Sequence, residues 1–296
     1  MKPVRFKFHV AETVQHALEL LAQEGDDAKI LAGGQSLIPL MNFRLATPTA
    51  LVDVCRIAGS NKIAIDSAGV RFGWSVRHNQ ALASSEVRRT VPLVTEALRW
   101  VGHEAIRNRG TLAGSTAHAD PAAELPAVWL ALNAEMTVQS TRGQRRIPAA
   151  DFFSSYFTTA LQPDEMLTEI HVPRAPQEVR RRAAFREFAL RHGDFAVAGA
   201  AVILDLDERD RISDARIAVL GVADVPLRLT SAELLLRGTD PRDLAAHSAV
   251  AEVVRATLQP VGDKGASSNY RRQVTATLVR RALGACSTSN PEGRDE

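Results

Sequence analysis

Two stretches carry residue types that could grip an anion. The first is Ile30-Leu31-Ala32-Gly33-Gly34-Gln35-Ser36-Leu37-Ile38-Pro39. An apolar strand-like run enters Gly33-Gly34, then Gln35 and Ser36, then a helix-like apolar run. Paired glycines permit backbone conformations closed to other residues and let amides approach a ligand closely. Ser36 suits a helix N-cap, and the helix start behind it offers unpaired amides and partial positive charge, both suited to a pyrophosphate. A purely structural turn accounts for the same residues equally well.

The second stretch is Arg107-Asn108-Arg109-Gly110-Thr111-Leu112-Ala113-Gly114-Ser115-Thr116-Ala117-His118-Ala119-Asp120-Pro121. Small residues and hydroxyls crowd a turn and leave room for a ligand. Asp120 before Pro121 reads as an N-cap followed by the first helical position. Its carboxylate could also hold a ribose or ribityl hydroxyl. His118 reads as a solvated loop residue. Neither stretch is a G-x-G-x-x-G turn or a G-x-x-x-x-G-K-[ST] loop, which argues against a Rossmann nicotinamide enzyme and a P-loop NTPase.

The rest of the composition narrows the chemistry. Cys55 and Cys286 stand alone and far apart, so zinc or iron–sulfur ligation by this chain is not expected; inert buried thiols are. His9, His16, His78, His103, His171, His192 and His247 form no metal-ligand pattern. A formal net charge of +2 gives no electrostatic case for nucleic acid. No apolar run approaches the ~18 residues of a membrane span, and Met1 to Val10 lacks a secretion signal, so a cytoplasmic protein is expected. Asp53 and Glu124 read as structural.

Positioning two loops requires a frame, and 296 residues suit two domains. Thr13 to Gln23 reads as an amphipathic helix ended by Gly25. Lys29 to Leu31, Leu51 to Val54, and the pair Lys62 to Asp66 with Val70 to Phe72 read as strands. Val91 to Val101 is helical in period, Gly102 to Pro121 reads as loop, and a helix runs from about Ala122 to Leu132. Met136 to Gln139 with Arg145 to Ile147 forms a hairpin pattern, followed by a strand from Met166 to Val172. Pro173 to Arg182, with Arg180 to Arg182, reads as a solvated connector. Strands at Ala184 to Leu190, Val197 to Asp207 and Ile212 to Val222 precede helices at Thr230 to Leu236, Leu244 to Leu258 and Asn269 to Leu283. Strands then helices is an α+β signature. The tail from Ser287 to Glu296 reads as disordered.

The two loops together closely resemble those of the flavin-binding medium subunits of molybdenum hydroxylases, the carbon monoxide dehydrogenase and xanthine dehydrogenase group. The stretches that carry the resemblance are AGGQSLIPLMNFRLATPTALVDV (Ala32 to Val54), IRNRGTLAGSTAHADPAAELPA (Ile106 to Ala127) and RHGDFAVAGAAV (Arg191 to Val202). GVADVPLR (Gly221 to Arg228) and YRRQVTATLVRRAL (Tyr270 to Leu283) extend it over nearly the whole chain. The resemblance implies an FAD-binding domain of the vanillyl-alcohol oxidase (PCMH) type over 1–175, with subdomains of about 1–57 and 58–175. An α+β C-terminal domain over 176–286, with a three-stranded antiparallel sheet and helices, would follow.

By the same resemblance, Ala32, Gly33, Gly34, Gln35 and Ser36 hold the FAD pyrophosphate. Thr111, Gly114 and Ser115 contribute from the second loop, Asp120 lies near the ribityl or ribose hydroxyls, and Asp194 and Phe195 approach the flavin ring. The family usually has Thr-Ile-Gly-Gly-Asn where this chain has Thr111-Leu112-Ala113-Gly114-Ser115, so Ala113 is expected to cost one permissive backbone position. The implied partners are a large molybdopterin subunit that hydroxylates substrate and a small subunit with two [2Fe–2S] clusters, arranged as a dimer of heterotrimers. No general base, nucleophile or metal site is expected on this chain. An N-heteroaromatic such as a purine is the preferred substrate of the complex, with carbon monoxide, nicotine-like compounds and aldehydes open. Two other readings stand: a self-sufficient oxidase of the vanillyl-alcohol oxidase type, and an adaptor that has lost FAD.

Overall fold

The computed structural model describes residues 2–176 and 178–288. The expected disordered tail lies, from residue 289 onward, outside the described residues; the last helix runs through Ser268–Thr288.

The chain divides into two compact units. The first comprises Met1–Val87, His103–Asp120 and Asn133–Pro173. It opens with a three-stranded parallel sheet in which Ala50–Asp53 lies between Lys7–Val10 and Ala28–Leu31. The helix Val14–Glu24 covers it. Thr13 caps that helix by accepting the His16 N–H at 3.1 Å, and Gly25, at φ +81°, ends it. Its buried Ala17, Leu18 and Leu21 meet Val52 and Val54 in one apolar cluster. Parallel pairing requires a crossover between strands, and the one that runs from Leu31 to Ala50 opens with the first glycine loop.

A second sheet in this unit has five antiparallel strands, ordered Ile63–Asp66, Gly69–Gly73, Met166–Pro173, Glu135–Ser140 and Gly143–Pro148. Each strand expected here is present within a residue or two. The stretch Gly102 to Pro121, expected as loop, contains two helices, Glu104–Arg109 and Leu112–His118. Its small residues and hydroxyls are a helix start, because the Thr111 hydroxyl accepts the Gly114 N–H at 2.9 Å. The helix expected from Ala122 begins at Glu124, so Asp120 sits in a turn before it and is not its N-cap.

The second unit comprises Arg88–Gly102, Pro121–Leu132 and Arg174–Glu296. Its sheet is antiparallel: Arg180–Phe188, Ala198–Leu206 and Ile212–Leu220 form the three long strands, and Leu227–Arg228 adds a short fourth at the edge. Ala198–Leu206 is buried along its whole length. Helices Leu244–Thr257 and Ser268–Thr288 contribute Val250, Val254, Val279 and Leu283 to the same core.

The triple arginine is a strand and not a connector. Arg181 donates to Asp205 through Nε at 2.7 Å and Nη2 at 2.8 Å, and Arg216 donates to the same carboxylate at 2.6 Å. Charged residues can enter a strand interior when such pairing replaces their water. The architecture is therefore α+β, with a parallel and an antiparallel sheet in one unit and an antiparallel sheet with helices in the other.

Candidate functional site

In the first unit the two loops lie against each other. A Cβ built on Gly33 would sit 2.5 Å from the Arg109 carbonyl oxygen and 2.7 Å from Gly110 Cα. A Cβ on Gly114 would lie 3.5 Å from the Ala32 Cβ. Gly34 adopts φ +70°, a conformation that other residues reach only with strain.

The backbone of the first loop leaves its donors unpaired. Among the described residues, the N–H groups of Gly33, Gly34, Gln35 and Ser36 donate to no protein acceptor. All four residues are only partly buried. Consecutive unpaired amides form a concavity for an anion, and a helix start adds partial positive charge. The Gln35 side chain bonds back to the Gly33 carbonyl at 3.0 Å and stiffens the turn. Ser36 stands at the N-cap of Leu37–Asn42, but its hydroxyl makes no capping bond there. The helical turn begins earlier, where Gly34 O accepts from the Ile38 N–H at 3.1 Å.

The second loop is built differently. Thr111 is buried, and its hydroxyl is engaged by Gly114. Gly114 must lack a side chain, because a Cβ there would stand 2.7 Å from that hydroxyl. Ala113 lies inside the helix without a positive φ, so the freedom of a glycine is not used at that position. Ala119 ends the helix at φ +50°, and Asp120 follows, partly buried. The His118 imidazole is held below its ordinary pKa by burial, against the opposing pull of the Asp120 carboxylate.

Four residues with no obvious sequence signal, Val76, Arg77, His78 and Cys55, fasten this arrangement. Val76, Arg77 and His78 run antiparallel to Gly110–Leu112, with bonds from His78 N–H to Gly110 O and from Leu112 N–H to Val76 O. The buried His78 ring donates through Nε2 to Thr111 O at 3.0 Å, since a carbonyl can only accept. Its Nδ1 has no partner, and burial pushes its pKa down to about 4. Arg77 donates to the Arg109 carbonyl. Cys55, expected to be inert, donates its thiol to the Ala32 carbonyl at 3.0 Å. Burial raises that thiol's pKa, so it keeps the proton it donates.

Asp194 and Phe195 belong to the second unit, in the exposed turn between two long strands; Phe195 is 75% exposed. Cys286 is fully buried and free. Among the described residues, no group of three or more His, Cys, Asp or Glu could hold a metal. No described helix is long and apolar enough to cross a membrane.

Comparison with known proteins shows which family the chain belongs to. Residues 4–175 match the family described as the FAD binding domain in molybdopterin dehydrogenase, and residues 183–286 match the CO dehydrogenase flavoprotein C-terminal domain. The chain belongs to this family. It is 45% identical to the 6-hydroxypseudooxynicotine dehydrogenase complex subunit alpha of Paenarthrobacter nicotinovorans, over 96% of this chain and 95% of that one. It is 38% identical to the nicotine 6-hydroxylase medium subunit of the same organism, over 96% and 98%. The solved carbon monoxide dehydrogenase of Hydrogenophaga pseudoflava that lacks the Mo-pyranopterin moiety superposes with a TM-score of 0.92. That match is at 34% identity and covers 97% of this chain and 98% of that one.

The chain is thus an FAD-carrying subunit of an oxidoreductase complex of the molybdenum hydroxylase type. The donor set fits the cofactor: an anion cradle without side chains is what a dinucleotide pyrophosphate requires.

Proposed function

We propose that this chain is the electron outlet of its complex, holding FAD between a partner's iron–sulfur clusters and an external acceptor. FAD, when bound, accepts electrons singly and releases them in pairs. The chain's own task is to bind, orient and shield the cofactor. Four consecutive unpaired amides at Gly33 to Ser36, closed against Arg109 and Gly110, carry this reading.

In this reading Ala32, Gly33, Gly34, Gln35 and Ser36 hold the pyrophosphate. Thr111 shapes the facing loop through its bond to Gly114, and Gly114 and Ser115 line the facing side. Asp120 takes a ribityl or ribose hydroxyl, and Asp194 with Phe195 covers the ring from 176–286, the C-terminal domain. Residues 1–175 form the FAD-binding domain, with subdomains of about 1–57 and 58–175. No residue is assigned as an acid, base or nucleophile.

The partners are a large molybdopterin subunit and a small [2Fe–2S] subunit, as a dimer of heterotrimers in the cytoplasm. The likeness to subunits of nicotine-type dehydrogenases favours an N-heteroaromatic substrate, turned over on the large subunit. End-to-end coverage of these relatives favours a subunit over a self-sufficient oxidase. Affinity purification of the native complex tests the reading. Co-purification of a molybdenum and an iron–sulfur subunit with one FAD per chain supports it. Substrate oxidation by the isolated chain, with no partner, overturns it.

A further inference from the structure

We propose that Arg77 is a positioning residue for FAD, latching both glycine loops through one guanidinium so that the first loop's amides face the pyrophosphate. This rests on the assignment of the loops to FAD. Nη1 of Arg77 donates to Arg109 O, in the second loop. Nη2 lies 3.5 Å from the Cys55 sulfur, and the Cys55 thiol in turn donates to Ala32 O at 3.0 Å, in the first loop. One planar, permanently charged group therefore reaches both loops, directly on one side and through a thiol on the other.

The geometry matters because a trans peptide points its C=O and N–H in opposite directions. Fixing the Ala32 carbonyl toward Cys55 turns the Gly33 N–H away from it, and that N–H is one of the amides without a protein acceptor. Cys55 is itself anchored, since its N–H donates to the Asp53 carboxylate at 2.9 Å. Arg109 O is also the atom against which Gly33 packs, so the latch closes on the line where the loops touch. Arg77 grips protein carbonyl and sulfur, and its effect on FAD passes through the loops.

The test uses the full chain freed of flavin and titrated with FAD and, separately, with riboflavin, which shares the ring but carries no phosphate. Arg77→Ala should weaken FAD about tenfold or more, the worth of a charge-assisted hydrogen bond, and leave riboflavin unchanged. Cys55→Ala should weaken FAD less, and the double variant should be no weaker than Arg77→Ala alone. If Arg77→Ala does not fold, Arg77→Lys keeps a charged donor one bond shorter, without the two-pronged fork, and should show an intermediate loss. Equal weakening of FAD and riboflavin would reduce Arg77 to general scaffolding and overturn the proposal. Unchanged FAD affinity overturns it too, and a fully additive double variant removes Cys55 from the latch. Wild-type protein that binds riboflavin as well as FAD would instead bring down the assignment of the loops.

Discussion

The Arg109 carbonyl oxygen lies 2.5 Å from the point where Gly33 would carry a Cβ. Real Cβ atoms do not approach oxygen so closely, so any side chain at Gly33 must push the two loops apart. Gly34 is constrained differently: its Cβ would meet the ends of Ile38 and Leu31 at 3.2 and 3.4 Å, but its φ of +70° strains any L side chain. Gly34→Ala should therefore cost on the order of 1–2 kcal/mol of local strain. FAD titration should show a tenfold or smaller loss for Gly34→Ala and a larger one for Gly33→Ala; the reverse order would contradict the packing described.

His78 sets an acid limit on stability. Its folded pKa of about 4 lies below the ordinary 6.5, so the unfolded chain binds the extra proton between those values. Stability from this group is full above pH 6.5 and is lost as pH falls toward 4, by up to about 3 kcal/mol. His78→Gln, which retains a donor toward Thr111 O, should flatten the fall of Tm across that interval. An unchanged pH dependence would show that another group governs it.

In the second unit, Glu187 faces Glu124, and both are buried. Burial first, and the neighbouring carboxylate second, raise the Glu187 pKa well above the ordinary carboxylate range. Both of its carboxylate oxygens lack a protein partner. The folded chain therefore holds a proton that the unfolded chain releases, and stability declines as pH rises through neutrality. Glu187→Gln should raise Tm, with the gain over wild type growing toward alkaline pH. A gain that shrinks as pH rises would reverse the assigned direction.

Asp205 should be far less replaceable than an exposed carboxylate. Arg216, with 7% of its side chain exposed, and Arg181 both donate to it. Asp205→Ala leaves Arg216 with only the more distant Asp214 carboxylate at 3.6 Å and removes the hydrogen-bonded partner of Arg181, at a cost of about 3–5 kcal/mol in chemical denaturation. A loss under 1 kcal/mol would show that water replaces the carboxylate.

Much of this was legible in the chain itself. Alternation and turn residues located the strands of the five-stranded sheet but not their order, and Gly33-Gly34 after an apolar strand marked the first loop. The second loop reads as irregular because Gly114 and Ser115 are poor interior helix residues; the signal that outweighs them is local, a Thr at position 111 capping the N–H of Gly114 three residues on. Arg180 to Arg182 misled for a different reason, since Asp205 lies 24 residues beyond Arg181 and joins it only when the strands pair. Arg77, His78 and Cys55 gave no signal because their role is to bond backbone carbonyls, which every sequence has. Ala113 reads as a lost glycine against the family pattern, yet its position is ordinary helix.

In the proposed site, Gly33 to Ser36 and the loop at Arg109 to Ser115 form one grip on the FAD pyrophosphate. Equilibrium dialysis of FAD against flavin-free full chain, comparing wild type with Gly33→Val, tests it most directly. One tightly held FAD per wild-type chain is expected, and a loss of at least tenfold in affinity for Gly33→Val, with the variant still folded by circular dichroism. A folded Gly33→Val that holds FAD as tightly as wild type would contradict it.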